Sequence, residues 1–115
     1  MEKDIEQVMQ CYDRFLEIIE EISMSAKEQV SKLKGTVVAD EIATDFSEIG
    51  MIYAKELLEY ECITKEQFLI AKSIDESLNV MSQRKELWNE DALLNAKEWE
   101  ECRKKGKRLL LMLKK

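Results

Sequence analysis

The sequence predicts an all-α fold: an antiparallel four-helix bundle with helices at about 3–34, 37–61, 65–87 and 90–113. Three observations predict it. Apolar residues recur at alternating spacings of three and four along most of the chain. Proline is absent and only three of the 115 residues are glycine, whereas a β-sandwich of this length needs more turn residues. Charged residues make up 37% and hydrophobic residues 45%, the composition of amphipathic helices around a real core. Residues 1–115 fit one domain.

In the first helix, Ile5, Val8, Tyr12, Phe15, Ile19, Ile22, Ala26, Gln29 and Leu33 keep an unbroken coiled-coil-like rhythm. Gly35 supplies a left-handed stop. Ser25 and Glu28 could form a capping box that restarts the helix, but the rhythm continues across them and favours a single rod. The second helix takes Thr36 as its N-cap and buries Ala39, Ile42, Phe46, Ile49, Tyr53, Glu56, Tyr60 and Ile63. Gly50 and Ala54 beside this stripe permit close approach of a neighbour. Thr64 with Gln67 forms a capping box, and Ile63 with Phe68 a hydrophobic staple, at the start of the third helix. A second staple, Trp88 with Leu93 around Asn89, marks the start of the fourth, which runs through Ala92, Ala96, Trp99, Arg103, Gly106, Leu110 and Leu113. The alternative is a merged helix over 65–113, because no glycine lies near 89. Short connections make successive helices antiparallel.

The chain contains no histidine. That excludes Ser-His and Cys-His nucleophile pairs, histidine-ligated zinc, the Glu-x-x-His di-iron motif and histidine phosphotransfer. No glycine-rich phosphate loop is present. Cys11, Cys62 and Cys102 are widely spaced and odd in number, which reads as reduced thiols of a cytoplasmic protein. No cofactor, metal or catalytic residue is expected. Residues 1–30 carry acids throughout and lack an apolar leader core. The longest apolar run, Leu109 to Leu113, has five residues, against the roughly twenty of a membrane span.

Two acidic groups, Glu17, Glu20 and Glu21 on the first helix and Glu41, Asp45 and Glu48 on the second, are the only candidates for metal chemistry. Glu17-Ile-Ile-Glu20 resembles half of the Mg²⁺ site of the all-α nucleoside triphosphate pyrophosphohydrolases, which pair an E-x-x-E on one helix with an E-x-x-D on the next. The second half departs from that pattern, because Glu41 to Asp45 is one residue too long. The helix register also turns Glu17, Glu20 and Glu21 away from the seam, whereas a metal site needs converging carboxylates. The resemblance implies the alternative function, a Mg²⁺-dependent nucleotide hydrolase.

The sharper feature is charge asymmetry. Residues 103–115 carry seven basic side chains and no acid, leaving 11 basic and 24 acidic side chains in residues 1–102, a net of −13. Such a body repels nucleic acid. The basic residues Arg103, Lys104, Lys107 and Arg108 lead into five apolar residues in a row, which cover every side of a helix. If Leu110 and Leu113 finish the core, Leu109, Leu111 and Met112 need another partner: a second copy of the chain, a target protein or, less favoured, an anionic membrane surface. A second stripe, Met51, Leu58 and Cys62, lies outside the seam of the second helix. Glu56 and Arg103 fall at core positions and could pair. The expected function is a non-enzymatic helical interaction protein, an adaptor, inhibitor or immunity-type factor. Its acidic body would steer a basic protein partner toward it.

Overall fold

The single first helix expected over 3–34 is two helices. In the computed structural model, which describes residues 5–35 and 37–113, α1 covers Ile5–Ser23 and α2 covers Ala26–Lys32. The capping box at Ser25 makes the break. Its Oγ accepts from the Glu28 amide at 3.2 Å, and its own amide donates to the Glu28 carboxylate at 3.3 Å. Gln29 keeps the sequence rhythm and is fully buried, but as a polar fastener. Its side-chain amide donates to the carbonyls of Glu21 at 3.0 Å and Ile22 at 3.3 Å, acceptors that the last turn of a helix leaves without an internal partner. Gly35 adopts φ +93°, as a left-handed stop requires. Thr36, the expected N-cap, lies outside the described residues, as do the expected helical positions 3 and 4.

The second rod is continuous over 38–59 but not uniform. α3 (Val38–Thr44) passes into a π-helical segment (Asp45–Gly50) and then α4 (Met51–Glu59). The Met51 amide donates to Phe46 O, five residues back, and this wider turn shifts the phase of the residues beyond it. Ala39, Ile42 and Phe46 are buried as the spacing predicts. Past that point Gly50, Ala54 and Leu57 face inward instead of Ile49, Tyr53 and Glu56. Gly50 lets α1 come close at this crossing: a Cβ there would lie 3.0 Å from Ile18 Cγ2. The rod ends in a Schellman turn: Cys62 N donates to Leu57 O at 2.8 Å and Glu61 N to Leu58 O at 3.0 Å, with Glu61 at φ +58°.

α5 (Lys65–Met81) starts on the expected capping box, with Gln67 N donating to Thr64 Oγ1 at 3.1 Å and Thr64 N to Gln67 Oε1 at 2.8 Å. A 3₁₀ turn (Lys85–Leu87) and Asn89 then interrupt the chain, so the merged helix over 65–113 does not form. Asn89 Oδ1 accepts from Ala92 N at 2.7 Å and caps α6 (Glu90–Asn95). The expected fourth helix breaks once more, at Ala96, whose ψ of 135° is extended. α7 (Lys97–Leu113) comes next.

The fold is all-α, and its longer rods touch in a ring: α1 against α7 and α4, α4 against α5, and α5 against α7. Neighbours run antiparallel. Cys11 meets Glu56 while Ile18 meets Gly50, and Gln67 meets Met112 while Ser73 meets Lys105. α2 and α6 pack on each other. Phe15, Ile19, Ile22, Phe46, Leu57, Ile74, Leu78, Trp99 and Leu109 fill the centre. Trp99 donates its indole N–H to Leu87 O at 2.7 Å and stacks, tilted, on Trp88 at 5.5 Å. Among the described residues no helix is long and apolar enough to cross a membrane.

α7 crosses the end of α1 closely at Gly106. A Cβ on Gly106 would sit 2.7 Å from Ser23 Oγ and 2.9 Å from Ile22 Cγ2. Gly106→Ala therefore forces the helices apart, and overpacking outweighs the gain in helix propensity. It should destabilise the fold by about 1–2 kcal/mol, read as a lower urea midpoint. Arg103 donates to Gln29 Oε1 at 3.3 Å and to Leu93 O at 3.0 Å. Arg103→Met strands both acceptors in the interior and should cost roughly 2–4 kcal/mol by the same measurement.

Candidate functional site

The acidic residues separate in the structure. Glu17, Glu20 and Glu48 are exposed, and among the described residues no three carboxylates or thiols lie so that they could hold a metal ion. Glu21 is the exception to its predicted outward position. It is only 5% exposed, in the last turn of α1, and is hydrogen-bonded to Asp45 at the start of the π segment. Burial, then the hydrogen bond and negative charge of Asp45, push its carboxyl up to about 7. Glu41 adds to the rise and Lys32 opposes it. Glu21 thus holds its proton more tightly than an ordinary carboxyl where α1 meets the second rod. The three thiols sit in different surroundings. Cys102 is buried, with its thiol pushed up to about 11. Cys11 donates to Glu56 at 3.5 Å, and exposed Cys62 contacts Tyr60 O at 3.7 Å.

The ten residues expected to meet a partner divide into three groups. Met51, Arg103 and Leu109 are buried in the core, so they are not available at the surface. Leu109 takes the place expected of Leu110, which is only half-buried. Trp99, Arg103, Gly106 and Leu113 face inward as the spacing predicts, joined by Cys102 and Leu109. Arg103 meets Gln29 and Leu93 instead of Glu56. Leu58 is half-buried and Cys62 is exposed beyond the end of α4, so the expected stripe with Met51 is not one continuous surface.

The remaining five stay accessible. Lys104, Lys107 and Arg108 are exposed and Met112 is half-buried. Leu111 is 71% exposed. Spacings of three and four put Lys104, Lys107 and Leu111 on one outward stripe of α7. Arg108 lies on the flank facing α5, where with Lys105, Leu69 and Ile70 it lines a depression of ≈ 270 Å³. A second depression of ≈ 350 Å³ continues along the same α5–α7 groove past Ser73, lined by Val80, Met81, Glu76 and Glu101. Leu69 is 50% and Val80 63% exposed. Lys105 donates to Ser73 Oγ at 2.8 Å, and Gln67 Nε2 to Met112 O at 3.4 Å. These bonds pin the two walls together and give a fixed groove.

Sequence reading missed Leu69, Val80, Glu76 and Glu101 as parts of this face. A signal for them exists. Leu69 and Val80 fall off the apolar stripe of α5, and after Lys97 α7 carries its acids at 98, 100 and 101 and its cations from 103 to 108. Comparison of the chain with protein-family models, curated proteins and solved structures finds no match.

The Glu21–Asp45 pair has a measurable consequence. The ordinary value of Glu21 is 4.5 and the folded value about 7, so folding favours its protonated form. That contribution is full below about 4.5 and is lost as pH rises through about 7. Glu21→Gln keeps a donor for Asp45 without the titration. At pH 8 it should be more stable than the parent by roughly 1–3 kcal/mol, and near pH 4 the difference should vanish. Urea denaturation at the two pH values checks this.

Proposed function

We propose that this chain is a non-enzymatic helical interaction protein that engages another protein surface through its α5–α7 face. One observation carries the reading: Leu69 and Val80 lie exposed along the α5–α7 groove, and Leu111 lies exposed on the outward stripe of α7 beside it. Single exposed apolar residues are ordinary, but a groove that lines up Leu69 and Val80 between charged side chains suits a binding surface. The supporting chemistry is that of recognition. The groove's floor is apolar, its rims are charged, and its walls are fixed by side-chain hydrogen bonds before any partner arrives, which lowers the ordering cost of association. The buried Glu21 carboxyl beside Asp45 lies elsewhere in the fold.

A photo-activatable side chain placed at position 69 or 111 in the native host should yield discrete protein adducts on irradiation. The same probe at Glu20, exposed on α1, should not. Equal labelling at all three positions, or none at 69 and 111, would overturn the reading.

A further inference from the structure

The charges along the α5–α7 groove are segregated by position. One end holds Lys105 and Arg108 around Leu69. The other holds Glu76 and Glu101 around Val80. Ser73 lines both depressions and lies between the two ends. Glu98 lies at the acidic end too, but it is already engaged by Arg84 at 3.6 Å. Glu66 is the one acid at the basic end. Leu69 and Val80 are eleven residues apart on α5, about 16 Å along the helix.

A surface laid out in this way is complementary to itself when turned end for end. A two-fold axis perpendicular to the helices, passing near Ser73, carries the basic end of one copy onto the acidic end of the other. It carries Leu69 toward the partner's Val80, and the reverse. Both ends are satisfied at once, as a closed two-fold contact requires. A parallel or shifted arrangement sets like charges against each other and is disfavoured. We propose, resting on the interaction reading above, that the partner at this groove is a second copy of the chain, docked antiparallel through α5 and α7. α5 and α7 have 17 residues each, so the face measures roughly 25 by 20 Å, or about 500 Å² per copy. That is below the roughly 800 Å² per partner of a standard interface, so dissociation is expected in the micromolar range.

Light scattering on the purified full chain, across roughly 1–500 µM to bracket that range, should show mass rising from one chain to two. The variants Lys105→Glu/Arg108→Glu and Glu76→Lys/Glu101→Lys should each dimerise at least about tenfold more weakly, because both ends then carry one sign. Mixed in equal amounts they should pair as well as the parent, because opposite ends are restored. Circular dichroism verifies that each variant is folded. If a double change unfolds the chain, Arg108→Glu and Glu101→Lys replace it in the same mixing test. A parent that stays monomeric throughout, or a dimer that neither variant weakens, overturns the proposal. Adducts to a different protein from positions 69 and 111, with a monomeric purified chain, would remove the self-pairing and leave the broader interaction reading standing. Absence of adducts would remove both.

Discussion

The buried Arg103–Gln29 bridge is the constraint on which the arrangement of the helices depends. Gln29 is fully buried and Arg103 is 9% exposed. A guanidinium in such a place costs desolvation energy unless its donors are used, and burial lowers its affinity for the proton. Both of its hydrogen bonds end on neutral acceptors, Gln29 Oε1 and Leu93 O. Gln29 in turn spends its amide on the carbonyls that end α1. One side chain on α7 thereby ties the end of α1, the start of α2 and the body of α6 into a single polar cluster. Apolar contact alone would let these short elements slide. A satisfied polar network of directed bonds does not.

That cluster also sets what α7 presents to the outside. With Arg103 held inward and Gly106 pressed against Ser23, the rotation of α7 is fixed at both points. Cys102, Leu109 and Leu113 must then face the core, and Leu111 must face away. The same rotation determines the α5 flank. It brings Lys105 to Ser73 and Arg108 to the groove. The surface proposed for recognition is thus a consequence of the interior bridge, about two turns away along the helix.

The parts of the fold legible in the sequence are those written in local chemistry. The capping boxes at Thr64 and Ser25, the Asn89 cap and the Gly35 stop depend on residues three or four apart, and each forms. Reading one helix over 3–34 gave weight to apolar rhythm over the Ser25–Glu28 box, and the rhythm misled because Gln29 sits at a core spacing for a polar reason. The π segment was illegible for a different cause. A wide turn leaves no residue signature in Asp45–Gly50, yet it moves the inward face from Tyr53 and Glu56 to Ala54 and Leu57. Met51 is turned inward with them. On α7, Arg103 is buried at its expected core position and Leu109 is buried where Leu110 was expected, while Lys104, Lys107, Arg108, Leu111 and Met112 are not buried. The groove itself needs two helices at a known rotation, which no single segment encodes.

The distribution of charge ties interior and surface together. A body with a net of −13 over residues 1–102 repels itself, and compactness is easier if some acids hold protons or face cations. Glu21 does the first, beside Asp45. The cations of α7 do the second only in part, since Lys104, Lys107 and Arg108 are exposed and, among the described residues, none of them is in an ion pair. Cations clustered at one end of an otherwise acidic molecule gain most when acids of another surface come to them, because each approach relieves repulsion on one side and supplies attraction on the other. The same molecule carries such acids at the far end of the same groove. Encounter between two copies would be slow if both surfaces were uniformly acidic. The polarity of the α5–α7 groove, basic at Arg108 and acidic at Glu101, favours the antiparallel approach over the others.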